Sequence, residues 1–142
     1  MNYQRTATSS VFLYLLLVAP IIGQNLTSTW DAIYVSEQAS KGAGLYETSC
    51  AECHGPELEG GETAPALAGP DFRWAWNGRS VGELFESIRI SMLEGRPRNM
   101  TRTEKASVLA FMLSENVLPA GTAELADETD LLEAFRIDSV RP

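Results

Sequence analysis

Apolar residues recur along this chain mostly at helical spacing rather than in alternation. Between Gln24 and Pro142 no segment alternates apolar and polar positions long enough to read as a sheet. Three stretches instead carry the 3.6-residue repeat together with start signals. The first begins near Ser36 and runs into Cys50, with Gly42, Tyr46 and Cys50 at i, i+4 and i+8 along one face. The second opens on the capping box Ser80-x-x-Glu83 and repeats Val81, Leu84, Phe85 and Ile88 at i, i+3, i+4 and i+7. The third opens on a like box, Thr101-x-x-Glu104, carries Ala106, Leu109, Ala110 and Leu113 as one stripe, and stops at Asn116 before Pro119. A shorter helix over about Glu128 to Phe135 folds back through Leu131, Leu132 and Phe135. The pattern predicts an all-α domain. It leaves a Gly/Pro-rich connection from Gly55 to Arg79, containing Trp74 and Trp76, as a loop, and loops of that length in a compact domain usually hold something.

The N-terminus has a different layout. Met1 to Ser10 carries one base, Arg5, and no acid, and Val11 to Gly23 follows without a charge, interrupted by Pro20. That is the arrangement of a secretory signal peptide, and the apolar run is short of the about 20 residues that a spanning helix needs. The organisation expected is therefore 1–23 as signal peptide, or as an uncleaved anchor that would tie the protein to a membrane, and 24–142 as one exported domain.

Composition narrows the chemistry. The 142 residues include 11 Lys+Arg against 19 Asp+Glu, a net charge of −8, and so acidic a surface is repelled by a phosphate backbone. Nucleic acid is excluded as an expected partner. One His and two Cys cannot supply the four nitrogen or sulfur ligands of a structural zinc site within one chain.

All three of those ligands stand together, as Cys50-Ala51-Glu52-Cys53-His54 at the end of the first helix. In a C-x-x-C-H the two thiols can add to both vinyl groups of one haem, and the adjacent imidazole reaches the iron from the proximal side. In a domain this small the bound porphyrin becomes the largest apolar object in the core. Two other readings compete. A thiol–disulfide module normally rides on a strand–helix unit, which is absent from the pattern, and a disulfide between Cys50 and Cys53 is awkward in a helical turn.

The stretches GAGLYETSCAECHG, ELEGGETAPALAG, FRWAWNG, ELFESIRISM and VLAFMLSEN together resemble the class I cytochromes c, from about Val35 to about Leu132. The likeness is to the single-haem bacterial branch similar to the cytochrome domains that accompany quinoprotein alcohol dehydrogenases. It implies three main helices around one covalently bound haem c. It also implies a close crossing of Gly42 and Tyr46 with the last long helix, near Phe111 and Val108, where a Cβ at Gly42 would hold two backbones apart. A proximal histidine needs an acceptor for its second ring nitrogen, and by resemblance the Pro65 carbonyl supplies it, with Leu67 packing on the ring. Trp76 matches an aromatic whose indole N–H bonds a haem propionate, and Arg79 helps neutralise that charge. Simple apolar packing is the plainer role for Trp74 and Trp76, as a solvated charge is for Arg79.

With a single His, a bis-histidine haem is impossible within one chain, and thioether sulfur is the natural sixth ligand. Met92 stands just past the second long helix, on a segment able to fold over the opposite haem face. By resemblance its place is that of the Met in a Thr-Met-Pro step, here Ser91-Met92-Leu93. Met100 on the loop before the third long helix is the rival, and Met112 inside that helix reads as core.

An iron ligated on both faces has no vacant position for substrate, so the expected function is one-electron transfer without catalysis of bond chemistry. The alternative is a gas- or peroxide-binding sensor or weak peroxidase with a labile Met92, favoured by Leu93 in place of Pro. The resemblance suggests a quinoprotein dehydrogenase as donor and an oxidase or another cytochrome as acceptor, in the periplasm. Glu52, Glu57, Glu59 and Glu62 cluster after the attachment motif, either as a docking face for a basic partner or as solubilising charge. The acidic segment Glu124 to Asp138 reads as a solvated end or a partner contact.

Overall fold

The computed structural model describes residues 26–62, 64–91 and 99–142. Among these, the helices are α1 (Ser36–Ser49), α2 (Ala51–His54), α3 (Gly69–Trp76), α4 (Val81–Ser91), α5 (Arg102–Glu115) and α6 (Thr129–Leu132). The three long stretches of helical spacing correspond to α1, α4 and α5. Both capping boxes form. The Glu83 N–H donates to Ser80 Oγ at 2.9 Å while the Ser80 N–H donates to Glu83 Oε2 at 3.0 Å. Thr101 and Glu104 make the same reciprocal pair at the start of α5. Each box satisfies amides that a helix start leaves without partners.

The dominant packing is α1 against α5, and Gly42 determines how closely they approach. A Cβ placed on Gly42 would lie 1.9 Å from the Ser107 carbonyl oxygen and 3.0 Å from Phe111 Cβ. Four residues on, Tyr46 meets Phe111 with ring centroids 5.4 Å apart. Phe111 is thus a partner at this crossing as expected, and Gly42 sits on the backbone of Ser107. The α5 stripe of Ala106, Leu109, Ala110 and Leu113 is wholly buried, joined by Phe72, Val81, Phe85 and Leu132. Met112 is buried in the same core.

Helix one runs into Cys50 as expected: α1 ends at Ser49 with Cys50 as its cap, at φ −126 and ψ −35, and α2 restarts the helix at Ala51. Other expectations need correction or addition. The connection from Gly55 to Arg79 is not all loop, because Gly69–Trp76 is helical with Pro70 in its first turn and Phe72 facing the core. The domain also has a small sheet, in which β1 (Thr27–Ser28) pairs in parallel with β2 (Phe135–Arg136). Strands of two residues are too short to leave a periodic signal.

Finally, the acidic C-terminal segment is not a solvated end. Leu125, Leu132 and Ile137 are buried. The Gln38 side chain clasps the Leu125 backbone through two hydrogen bonds, of 2.9 and 2.7 Å. Tyr34 Oη donates to the Leu118 carbonyl at 2.6 Å, and Trp30 Nε1 to that of Asp138 at 3.0 Å. Gly78 and Ile137 add a main-chain bond of 2.8 Å, as do Ile137 and Arg79. The segment wraps the helices and returns to the chain's first described residues, with α6 shorter than the helix expected over 128–135 and Leu131 left exposed.

Glu86 ties α4 to α6. Its carboxylate pairs with Arg89 at 2.7 Å and accepts the Thr129 hydroxyl. Arg89 and then Thr129 stabilise the ionised form and hold the Glu86 carboxyl down at about 2. A group depressed in the fold stabilises the folded state above its unfolded value of 4.5, and that contribution is lost as pH falls toward about 2. Allowing for solvent screening, it amounts to about 1 kcal/mol. Urea unfolding of wild type and Glu86→Gln should differ by about that much near neutral pH and converge in strong acid. A gap that does not close on acidification contradicts this role.

Candidate haem-attachment site

The break between α1 and α2 presents the three chemistry-bearing side chains on one helical turn. Cys53 N–H and His54 N–H both donate to the Cys50 carbonyl, at 3.1 and 3.0 Å, so the motif is a hydrogen-bonded turn and not a loose loop. Cys53 is exposed, Cys50 is half-buried, and both are free thiols. Burial, then the neighbouring Cys53, push the Cys50 thiol up to about 11, which keeps it protonated. Behind the turn, Tyr46 Oη donates to the Gly55 carbonyl at 2.6 Å. Burial raises that phenol to about 12, and it stays a donor at any physiological pH.

His54 is buried, at 4% exposure, and its Nδ1 lies 2.8 Å from the Pro65 carbonyl oxygen. A carbonyl only accepts, so Nδ1 carries the proton, and Nε2 is left with its lone pair free for a metal. Pro65 is brought there by an arch in the chain. The Gly60 N–H donates to the His54 carbonyl at 2.7 Å, and the Leu67 N–H to the Leu58 carbonyl at 2.8 Å. At Gly60, φ is +74 and a Cβ would lie 2.5 Å from the Ala66 nitrogen, so glycine is required on both counts.

Beyond the arch lies an open cavity of about 430 Å³, bordered by Pro65, Ala66, Trp74, Trp76 and Arg79. Clefts that hold cofactors run from about 300 to 1,000 Å³. The Arg79 guanidinium lies 4.2 Å from the centroid of the Trp76 ring and 3.4 Å from a Glu83 oxygen. Trp74, at 86% exposure, is not core packing. Leu67 is half-buried against the core. Cys50, Cys53, His54, Pro65 and Leu67 thus lie on one continuous stretch, and Trp76 and Arg79 border the same cavity as Pro65. Met92 lies outside the described residues. Met100 packs, half-buried, against the core. Glu52, Glu57, Glu59 and Glu62 are all exposed.

The donor set suits a covalently held haem: two unpaired thiols, and one imidazole whose tautomer is fixed by Pro65, a residue that also borders the cleft. Comparison with known proteins agrees. A family model described as cytochrome C oxidase, cbb3-type, subunit III matches residues 37–112, more than half of the chain. The chain belongs to this family of c-type cytochromes. As a cytochrome c domain it is of all-α fold and of a haem-based, iron-containing class of electron-transfer domains. One solved structure, the sulfane dehydrogenase SoxCD from Paracoccus pantotrophus, is similar at 23% identity with a TM-score of 0.44. The match covers 63% of this chain and 53% of that one, about half its length. No curated protein matches the chain. Among the described residues no helix is long and apolar enough to cross a membrane.

Sequence reasoning misses two residues of this cytochrome's site. Gly60 is legible only as the first of two adjacent glycines in ELEGGE, where nothing local marks a positive φ. Asn116 reads from sequence as a helix stop, yet its amide reaches back to Leu67 and Gly69. Its signal is a carboxamide at a helix end, three and four residues after the buried Leu113 and Met112.

Proposed function

We propose that this cytochrome is a periplasmic one-electron carrier with one haem c attached through Cys50 and Cys53 and ligated by His54 and Met92. The observation that carries the reading is the C-x-x-C-H turn in which Pro65 holds His54 Nδ1 and leaves Nε2 free. When bound, the haem supplies a ferric/ferrous couple that exchanges one electron. Cys50 and Cys53 would hold the group through two thioether links, which S–H addition to its vinyl groups makes without a leaving group. The Pro65 carbonyl orients the imidazole and raises its basicity. Trp76 would donate its indole N–H to a propionate, and Arg79, already on the Trp76 face, would balance that charge. Residues 1–23 act as the export signal or as an anchor, and 24–142 form the cytochrome domain.

Absorption spectra test the ligand set. Met92→Ala loses the thioether–iron charge-transfer band of the oxidised protein, while Met100→Ala keeps it. Loss of the band in Met100→Ala alone transfers the role to Met100.

The donor and acceptor are a quinoprotein dehydrogenase and an oxidase or second cytochrome, and the exposed acids around Glu57 form a docking face for a basic surface. Opposite charges attract less in salt, so the electron-transfer rate with the partner falls as ionic strength rises. A rate indifferent to salt removes the docking face. The second reading, a gas or peroxide sensor, draws on Leu93 where the resembled loop has Pro, which leaves Met92 easier to displace. Carbon monoxide binding to the reduced protein at neutral pH would select it. The carrier reading predicts none.

A further inference from the structure

We propose that Asn116, at the end of α5, is a positioning residue for the His54 ligand: its side-chain amide holds the 67–69 backbone and, through it, the Pro65 carbonyl. The inference rests on the ligand set proposed above and extends it to a residue in a different helix.

Asn116 is buried, at 5% exposure. Ending α5 needs only its backbone, whose N–H donates to the Met112 carbonyl at 3.1 Å. Its carboxamide does something else. Nδ2 donates to the Met112 carbonyl at 2.8 Å and to the Leu67 carbonyl at 3.0 Å, and Oδ1 accepts the Gly69 N–H at 3.1 Å. One end of the amide is anchored in α5, and the rest clasps a segment 47 and 49 residues away in sequence. That segment is the far side of the arch carrying Pro65; its Leu67 and Ala68 N–H groups donate to the Leu58 carbonyl at 2.8 and 3.3 Å, the near side is held by the His54 carbonyl, and the Asn116 amide takes the Leu67 carbonyl and Gly69 N–H that those bonds leave over. Two peptide units separate the Pro65 carbonyl from Leu67. Gly69 opens α3 at φ +83, and its N–H, which a helix start leaves without a partner within the helix, is taken by Asn116.

The consequence is electronic. An acceptor on Nδ1–H raises imidazole basicity, which favours ferric iron and lowers the reduction potential. Without the Asn116 amide, the Leu67 carbonyl and Gly69 N–H lose their partner and the arch moves to find water. The Pro65 bond then lengthens, and the potential rises.

The test uses the holoprotein. In Asn116→Leu and Asn116→Ala the midpoint potential rises, with the equilibrium constant for exchange with a fixed-potential mediator changing about threefold, roughly 28 mV at 59 mV per decade. Leu132→Ala, at the buried position of α6 outside the arch, loses stability but keeps the potential. If the Asn116 variants shift the potential no more than Leu132→Ala does, the proposal is wrong. Wild-type protein gives a measurement independent of whether the variants fold. Hydrogen exchange of the Gly69 amide and of the His54 Nδ1–H should show the same opening free energy, and a Gly69 amide that exchanges tenfold or more faster overturns the coupling. Failure of the ligand set itself looks different, because the wild-type protein would then lack the covalent haem or the thioether band.

Discussion

Gly42→Ala costs about 3 kcal/mol of folding stability, at the upper end of what overpacking usually causes, because the added methyl meets main chain rather than a movable side chain. The Ser107 carbonyl lies 1.9 Å from where that Cβ would stand, and neither α1 nor α5 can rotate the clash away without separating Tyr46 from Phe111. Domains of this size have roughly 5–15 kcal/mol in all, so the alanine variant folds weakly and Gly42→Val does not fold. Denaturant unfolding of the holoprotein decides the matter. An alanine variant within about 0.5 kcal/mol of wild type would show that the helices cross more loosely than described.

His54→Ala is the second large effect. The substitution removes the imidazole and also leaves the Pro65 carbonyl without its donor. Loss of an outer partner of a metal ligand typically costs about 10–100-fold, and loss of the ligand itself exceeds that. The thioether links should survive, since they depend on Cys50 and Cys53, so the variant remains coloured while its electron exchange falls by more than about 100-fold. Added imidazole restores part of the rate by entering the vacated space. A variant that exchanges electrons as wild type does would remove His54 from the metal.

Much of this was legible in the letters. The two capping boxes at Ser80 and Thr101 work from sequence because their partners are three residues apart, and the α5 stripe because burial follows the helical repeat. The attachment motif is equally local. What escaped depends on distant or very short elements. Helix α3 is eight residues long, and its first residue follows Ala68, which offers no side-chain cap. The sheet pairs Thr27 with Phe135, a contact made by backbone atoms that any sequence supplies. The acidic C-terminal segment hides its three buried anchors, Leu125, Leu132 and Ile137, among six carboxylates, so its mean polarity misrepresents where it lies. The Pro65–His54 bond became legible only through the resemblance, since the two residues are joined by an arch whose shape rests on Gly60.

Intact mass of the exported protein, produced in a host able to mature c-type cytochromes, bears most directly on the whole account. The protein should be red, with a mass equal to the processed polypeptide plus one haem, and the haem should remain bound after denaturation. A colourless product whose mass is that of the polypeptide alone would contradict it.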